Sequence, residues 1–304
     1  MADSVRPSAN DLLTSSVFSP GFFRRLQQLK IRTKKSFLGS RQGAHLSFRR
    51  GQGLEFSDFR PYTHGDDYRH IDWGVYGRTD RVYVREFRAE QDLSIFIVVD
   101  GSASMGHPAG EGKFEMARAI ALSLGYIGLA DGDSVTVATL GHGVSPRYSG
   151  PKALGRVIGD LNKVEPAGNV DMTAELRAGL ARQKIPGRCF IISDFLFPKS
   201  TQIEMLNLLL AKNFEVSIIQ ILTPGELKLS FDSSQIVVDS ETGEEFEVVI
   251  DERARRQYSL DLDRHIKELV DYSHRCGMAH ILVSSDEQVD DVILTRFPAA
   301  GIVK

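Results

Sequence analysis

The chain has 304 residues, 42% of them hydrophobic and 25% charged, and a formal net charge of −3. This composition is typical of a globular protein with one large α/β domain and an elaboration, or with two modest domains. The small net charge gives no global reason to expect nucleic acid or an anionic membrane as a partner. With two cysteines, no secretory signal and no apolar run of about 20 residues, the sequence favours a reducing cytoplasm and no membrane anchor.

Two segments precede the regular part of the sequence. Residues 1–36 include a basic amphipathic stretch in which Phe22, Leu26 and Leu29 share one helical face. We expect this helix to dock peripherally, so that the core folds without it. Residues 37–92 are rich in Gly, Arg and aromatic side chains and contain strand-like runs, which predicts a β-rich elaboration.

Residues 93–304 alternate short apolar runs with longer amphipathic ones, the βαβ pattern of a mostly parallel sheet with helices on both faces. We predict a doubly wound α/β domain. A hairpin is expected near 226–250, where the β-rich runs 236–238 and 246–250 flank the Gly turn at 241–244. The predicted core strands are 93–100, 134–140, 188–194, 215–222 and 279–285. The predicted helices are 112–130, 151–161, 173–183, 201–212, 252–276 and 287–297.

A candidate metal site follows the first core strand. Asp100, Ser102 and Ser104 place hard oxygen ligands on alternate residues of one tight loop, which suits Mg²⁺. Asp194 ends another buried strand. In the usual doubly wound order these two strands are neighbours at the switch point, where open sheets bind ligands. If residues 144–148 form the edge strand, Asp194 faces Asp100.

A structural role for the same residues stays open, because serines after a strand often cap the next helix or form a turn. The loop 169–173 adds polar groups that favour the metal interpretation. Catalysis has less support. The sequence near these residues has no Ser/His/Asp arrangement, no Gly-rich phosphate loop and no nucleophile elbow.

The loop also resembles a known family. Residues 100–105, DGSASM, followed by a helix, an Asp131–Asp133 turn and a strand, resemble the first motif of the von Willebrand factor type A domain. The metal-ion-dependent adhesion site of that family uses DxSxS, a Thr from a second loop and an Asp from a third. The resemblance implies a metal that grips an acidic side chain of a protein partner.

A closer resemblance, from about residue 43 to 297, is to the domain-of-unknown-function family fifty-eight. That family is associated with MoxR-type AAA+ ATPases, so the resemblance implies an adaptor or chaperone-partner role. The motifs that carry it are Gly51–Phe56, Asp58–Tyr62, Gly65–Trp73, Arg85–Phe87, DGSASM and the ETGE segment at 241–244.

The sequence departs from the adhesion-site pattern at one ligand. Where that family tends to have Gly-Gly-Thr-Asp-Leu, this chain has Gly-Asn-Val-Asp-Met at 168–172, so Val170 stands in place of the Thr. Either Asp171 or Thr173 substitutes, directly or through water, or the metal is held weakly or not at all.

A second polar cluster spans residues 64–72, with His64, Asp66, Asp67, His70 and Asp72. Its residue types match a zinc or acid–base site. We favour a satisfied polar network that fixes the β-rich elaboration, because Arg residues alternate with the acids.

The leading hypothesis is therefore a non-enzymatic, metal-dependent interaction module that works with a MoxR-type AAA+ ATPase. Two alternatives are kept: a metal-dependent hydrolase that uses the same acids, and a metal-free scaffold. The candidate Mg²⁺ ligands are Asp100, Ser102, Ser104 and Asp194, with Asp171 and Thr173 in place of the missing threonine.

Overall fold

The computed structural model describes residues 19–34, 54–89, 93–107, 112–166, 168, 170–228, 234–238, 245–249 and 251–304. The chain forms two compact units. Residues 39–92 make the smaller unit, and residues 1–38 together with 93–304 make the larger one.

The strands of the described residues follow the predicted pattern closely. The two strands of the smaller unit are β1 (Leu54–Pro61) and β2 (Tyr83–Ala89). The strands of the larger unit are β3 (Ser94–Asp100), β4 (Ser134–Leu140), β5 (Gly143–Val144), β6 (Tyr148–Ser149), β7 (Arg188–Ser193), β8 (Glu215–Leu222), β9 (Ser234–Val238), β10 (Glu245–Val249) and β11 (Ala279–Ser284).

The helices alternate with these strands, and a π-helical turn at Val292–Arg296 joins the last two. The helices are α1 (Pro20–Leu26), α2 (Trp73–Thr79), α3 (Lys113–Ala130), α4 (Leu154–Asn162), α5 (Met172–Ala181), α6 (Lys199–Ala211), α7 (Pro224–Leu227), α8 (Glu252–Arg275), α9 (Val289–Asp291) and α10 (Phe297–Ala299).

The smaller unit is built on an antiparallel ribbon. β1 pairs with β2, and the register shifts between Phe56 and Asp58. A 3-10 turn at Tyr68–His70 and helix α2 lie between the two strands in the chain. The predicted β-rich elaboration is confirmed.

The larger unit contains a seven-stranded sheet in the order β11-β8-β7-β3-β4-β5, with β6 also paired to β4. The five long strands run parallel, and the short β5 and β6 are antiparallel to β4. β3 therefore lies between β4 and β7, as the doubly wound order requires. The predicted hairpin is also present, since β9 pairs with β10 antiparallel; its turn at 241–244 lies outside the described residues.

Both faces of the sheet are covered because side chains of a strand alternate between faces. On one face Ile95, Ile97 and Val99 of β3 pack in a cluster with residues of α1, α3, α4 and the C-terminal helices. On the other face Phe96 and Val98 pack with residues of α5, α6 and α8. A strand buried on both faces is apolar at nearly every position, which is why β3 could be predicted from the sequence.

The N-terminal helix corrects one expectation. Phe22 and Leu26 are fully buried and belong to the same cluster as the sheet residue Ile95. The chain beyond α1 pairs Ile31 with Val303 through antiparallel backbone hydrogen bonds. Residues 19–34, the described part of the segment, are therefore packed into the main core rather than peripheral. An amphipathic pattern predicts that a helix docks, but the same pattern suits a helix on the rim and one that completes the core.

Candidate functional site

Asp100 ends β3 at the carboxyl edge of the sheet and is only 1% exposed. Its Oδ1 accepts a hydrogen bond from the Ser102 backbone N at 2.9 Å, and its Oδ2 accepts one from Ser193 Oγ at 2.5 Å. Gly101 is required here, because a Cβ at this position would lie 2.5 Å from the Leu140 carbonyl oxygen. The carboxylate is thus fixed by its own loop and by the end of β7.

The two serines of the loop face each other. Ser102 Oγ and Ser104 Oγ are 3.0 Å apart, within hydrogen-bonding distance. Ser102 precedes the 3-10 turn Ala103–Gly106, but its side chain makes no capping hydrogen bond to that turn. The Ser102 side chain therefore does not cap the following turn, which was one of the structural roles considered for the serines.

Asp194 follows β7 and lies in a strained turn. The next residue, Phe195, has φ 55°, a left-handed conformation that is rare for a bulky side chain. Its backbone N donates to Ser193 Oγ at 3.0 Å, and its carbonyl accepts from Gln202 Nε2 at 2.8 Å. Asp194 Oδ1 accepts from the Leu196 N at 3.1 Å. Several contacts thus hold a conformation that costs free energy by itself.

Lys113 is the residue of this site that the sequence interpretation missed. Its ammonium donates to Asp194 Oδ2 at 3.0 Å and to Glu226 Oε1 at 2.6 Å. The side chains of Lys113 and Asp194 are 2% and 1% exposed. Gly112, with φ 69°, starts helix α3 so that Lys113 is its first residue.

A signal for Lys113 was present in the sequence. It opens an otherwise largely apolar helix, and a cation in the first turn opposes the helix dipole, where acids are preferred. Such a lysine needs an acidic partner to be stable there. Its partners are 81 and 113 residues away in sequence, so the pattern alone does not identify them.

The charges of the site influence one another. Burial, together with the nearby charge of Asp194, raises the pKa of Asp100 to about 6. Burial acts to lower the pKa of Lys113, but the charges of Asp194 and Glu226 outweigh it, and the net shift is upward. The lysine is therefore held in its charged form between two carboxylates.

The predicted second loop contributes less than expected. Asp171 is exposed, and its Oδ1 caps helix α5 by accepting from the Ala174 N at 2.9 Å. Thr173 lies in the first turn of the same helix, and Val170 packs against the apolar cluster of that face. The loop does touch the serine loop, since the Ala103 N donates to the Gly168 carbonyl at 3.3 Å. Asn169 lies outside the described residues.

These contacts allow a test of whether the site fits a divalent cation. Three of the predicted ligands, Asp100, Ser102 and Ser104, lie together, but the position of the family's threonine offers only the apolar Val170. A buried ammonium already binds Asp194 and would repel a divalent ion beside it. The arrangement does not fit the expected Mg²⁺.

Comparison with known proteins identifies the family. The family model described as "Protein of unknown function DUF58" matches residues 58–268, more than half of the chain. The chain belongs to the DUF58 family. It is 26% identical to the uncharacterized proteins Rv1480 of Mycobacterium tuberculosis (strain ATCC 25618 / H37Rv) and Mb1516 of Mycobacterium bovis, over 99% of this chain and 97% of each relative.

Solved structures resemble this DUF58 chain more distantly. BatB from Bacteroides thetaiotaomicron is 12% identical with a TM-score of 0.40, and covers 68% of this chain and 98% of its own. The manganese-loaded TRAP protein of Plasmodium vivax is 18% identical with a TM-score of 0.33, and covers 55% of this chain and 62% of its own. Within the described residues of the DUF58 chain, no helix is long and apolar enough to cross a membrane.

The second polar cluster of this DUF58 chain is a network of ion pairs. Asp66 binds Arg60 through two hydrogen bonds of 2.6 and 2.7 Å, and Asp72 binds Arg85 at 2.7 Å while capping α2. Hydrogen bonds from Arg60 lower the pKa of Asp66, and those from Arg85 lower the pKa of Asp72. The acids are occupied, which confirms the structural interpretation of this cluster.

Proposed function

We propose that this protein is a non-enzymatic protein-interaction module that acts as an adaptor or co-chaperone with a AAA+ ATPase of the MoxR type in protein remodelling or maturation. The family resemblance supports this partner class. We expect the protein to act in the cytoplasm, without nucleic acid or stable membrane anchoring. The partner face that we assign is the carboxyl edge of the sheet, where open α/β sheets bind ligands.

The observation that carries this proposal is the exposed Leu196 next to the buried acids. Leu196 is 42% exposed, although the residues before it, Asp194 and Phe195, are almost fully buried. The strained Phe195 turn places this apolar side chain at the surface of the edge. Strained backbone is concentrated at functional sites, and an apolar side chain that such a turn holds at the surface is available for contact with a partner.

The polar groups of the same edge support binding rather than catalysis. Asp100 is bonded to Ser193, Ser102 lies against Ser104, and Asp194 is bonded to Lys113. A hydrolase would need a carboxylate free to activate water. We therefore expect no hydrolysis of generic ester substrates by the purified protein, and ester turnover that is lost in Asp100→Ala would contradict the proposal.

A matched pair of variants tests the partner face. Leu196→Asp places a charge on the carboxyl edge. Ile185→Asp does the same in the loop before β7, at the opposite edge, where Ile185 is 40% exposed. Binding to a purified MoxR-type ATPase would be measured by biolayer interferometry for the wild type and both variants. We expect Leu196→Asp to weaken binding at least about tenfold, since desolvating a charge in an apolar contact is costly, and Ile185→Asp to bind normally.

Two outcomes would contradict the proposal. Equal binding by the wild type and Leu196→Asp would remove the carboxyl edge from the interface. An ATPase that does not bind the wild-type protein at all would contradict the partner class. Thermal unfolding of both variants serves as the control that neither substitution disturbs the fold.

A further inference from the structure

We propose that Lys113 supplies, from within the chain, the positive charge that a divalent cation supplies in a metal-ion-dependent adhesion site. The site of this protein is then a metal-independent variant, with a covalently tethered cation. This inference concerns the edge assigned to partner binding in the proposed function, but it is tested without any partner.

The ammonium of Lys113 lies between two carboxylates at the end of the sheet. Lys113 Nζ lies 3.0 Å from Asp194 Oδ2 and 2.6 Å from Glu226 Oε1, and the Lys113 side chain is 2% exposed. A buried charge is stable only when it is paired and hydrogen-bonded. The lysine meets that condition with two carboxylates, one of them the acid that the sequence assigns to the metal.

The oxygen atoms of the serine loop already have hydrogen-bond partners within the protein. Asp100 accepts from Ser102 N and Ser193 Oγ, and the Ser102 and Ser104 hydroxyls lie 3.0 Å apart. Mg²⁺ demands close octahedral coordination by oxygen and gives up its waters reluctantly. An ion that coordinates Asp194 would have to approach the buried ammonium, whose charge repels it.

The backbone and side chains around Lys113 are held in place by their own contacts. Gly112 adopts φ 69° at the start of α3, which sets where the lysine side chain begins. Glu226 is held by the capping box of α7, in which its Oε2 accepts from the Thr223 N at 2.8 Å. Tyr258 adds a hydrogen bond from its hydroxyl to the Glu226 carbonyl at 2.9 Å. Both partners of the ammonium are thus held before any ligand arrives.

A buried, tethered cation changes how a partner is recognised. In an adhesion site an acidic side chain of the partner completes the metal's coordination. Here the cation is buried beneath the edge, so an incoming carboxylate does not reach it. If the proposed function holds, contact passes through exposed groups such as Leu196, and chelators do not release the partner.

The test compares the wild type with Lys113→Met by thermal unfolding and by isothermal titration with Mg²⁺ and Mn²⁺. We expect the wild type to show no saturable heat and the same Tm in EDTA, Mg²⁺ or Mn²⁺. We expect Lys113→Met to lose several degrees of Tm, because Asp194 and Glu226 are left without their cation. Adding Asp194→Asn to that variant should recover part of the loss, since it removes one of the unpaired charges.

The control is Lys199→Met, which removes a lysine that pairs with Glu268 at 2.7 Å while 59% exposed. It should leave the Tm unchanged, because exposed ion pairs contribute little. Saturable binding of Mg²⁺ or Mn²⁺ by the wild type, lost in Asp100→Ala, would overturn the inference, and so would a Lys113→Met variant as stable as the wild type. The wild-type titration decides the question even if Lys113→Met does not fold. None of these readouts involves the ATPase, so this test can fail independently of the proposed function.

Discussion

The two edges of the parallel sheet both bury an ion pair, but they balance charge differently. At the amino edge Arg188 opens β7 and binds Glu215 Oε1 of β8 at 2.7 Å, with the two side chains 3% and 8% exposed. The other oxygen, Glu215 Oε2, accepts from Thr33 Oγ1 and the Lys34 N, each at 2.9 Å. Within the described residues this ion pair joins Arg188 to Glu215, and the N-terminal segment adds two hydrogen bonds to it.

At the carboxyl edge the acids outnumber the cation. Lys113 lies between Asp194 and Glu226, and Asp100 is near enough for the charge of Asp194 to raise its pKa. The adjoining turn is strained at the bulky Phe195, whereas the left-handed residue at the amino edge is Asn213, a residue type that tolerates this conformation. A balanced, covered pair is typical of a structural role. An excess of acids beside a strained turn is typical of a functional site.

The buried ion pair at the amino edge, Arg188 with Glu215, can be broken by replacing one of its two residues. Arg188→Met leaves Glu215 buried without its guanidinium, and we expect the free energy of unfolding to fall by about 3–5 kcal/mol. This fall in the free energy of unfolding would be measured by urea unfolding of Arg188→Met, Glu215→Gln and the double variant. Arg177→Met is the control. It removes an exposed partner of Glu204 and should cost less than about 1 kcal/mol. Equal losses in the two Arg variants would contradict a structural role for the buried pair.

The helix that leads into the amino edge can be tested next. Phe22→Ala empties a fully buried position in the main cluster, and we expect it to cost about 3–5 kcal/mol by urea unfolding. Arg24→Ala, on the exposed side of the same helix, should change stability by less than about 0.5 kcal/mol. A Phe22→Ala loss as small as that of Arg24→Ala would restore the peripheral segment expected from the sequence.

His280 links the sheet to the carboxyl edge and gives a pH prediction. Burial, and then the charge of His274, lowers the pKa of His280 to about 4. Its Nε2 lies 3.1 Å from Gln220 Oε1, and Gln220 Nε2 donates to the Asp194 carbonyl at 2.9 Å. The unfolded chain takes up this proton near pH 6.5 and the folded chain does so only near pH 4. The His280 contribution to stability therefore falls as the pH is lowered between these values, by up to about 3 kcal/mol, whereas the raised pKa of Asp100 acts in the opposite direction over the lower part of this range.

The measurement is urea unfolding at several pH values for the wild type and His280→Gln. Between about pH 6.5 and 4 the wild type should lose up to about 3 kcal/mol relative to His280→Gln, because the variant lacks the depressed group while both proteins keep Asp100. His107→Gln, at an exposed position near the serine loop, is the control and should keep the wild-type slope. An identical slope in His280→Gln would mean that this histidine does not control acid stability.

The sequence predicted the fold better than the site, for identifiable reasons. Strand β3 was predicted at 93–100 and lies at Ser94–Asp100, because a strand buried on both faces is a continuous apolar run. The neighbouring positions of β3 and β7 followed from the topology of doubly wound sheets. Such patterns are local or topological, so a single sequence contains them.

The features that the sequence did not predict depend on contacts between residues that are distant in the chain. The Lys113 contact with Asp194 is set by how α3 packs, and no spacing in the sequence encodes it. Phe22 has the same amphipathic pattern whether its helix lies on the rim or in the core. The identity of Val170 was visible in the sequence, but only the structure shows that it packs against the apolar cluster.

The smallest expected effect is at Val170, and it separates the metal interpretation from the tethered cation. With a metal in the site, Val170→Thr would restore an oxygen ligand, and Mg²⁺ would stabilise the variant. The structure instead packs Val170 against the apolar cluster, where the new hydroxyl lacks a water shell. We therefore expect the free energy of unfolding of Val170→Thr to fall by about 1 kcal/mol, with or without Mg²⁺.

Val144→Thr is the matched control, since Val144 is also half-buried against that cluster and should lose a similar amount. Thermal unfolding in EDTA and in Mg²⁺ gives the comparison. Stabilisation by Mg²⁺ of Val170→Thr but not of Val144→Thr would show that the carboxyl edge accepts a divalent ion beside Lys113.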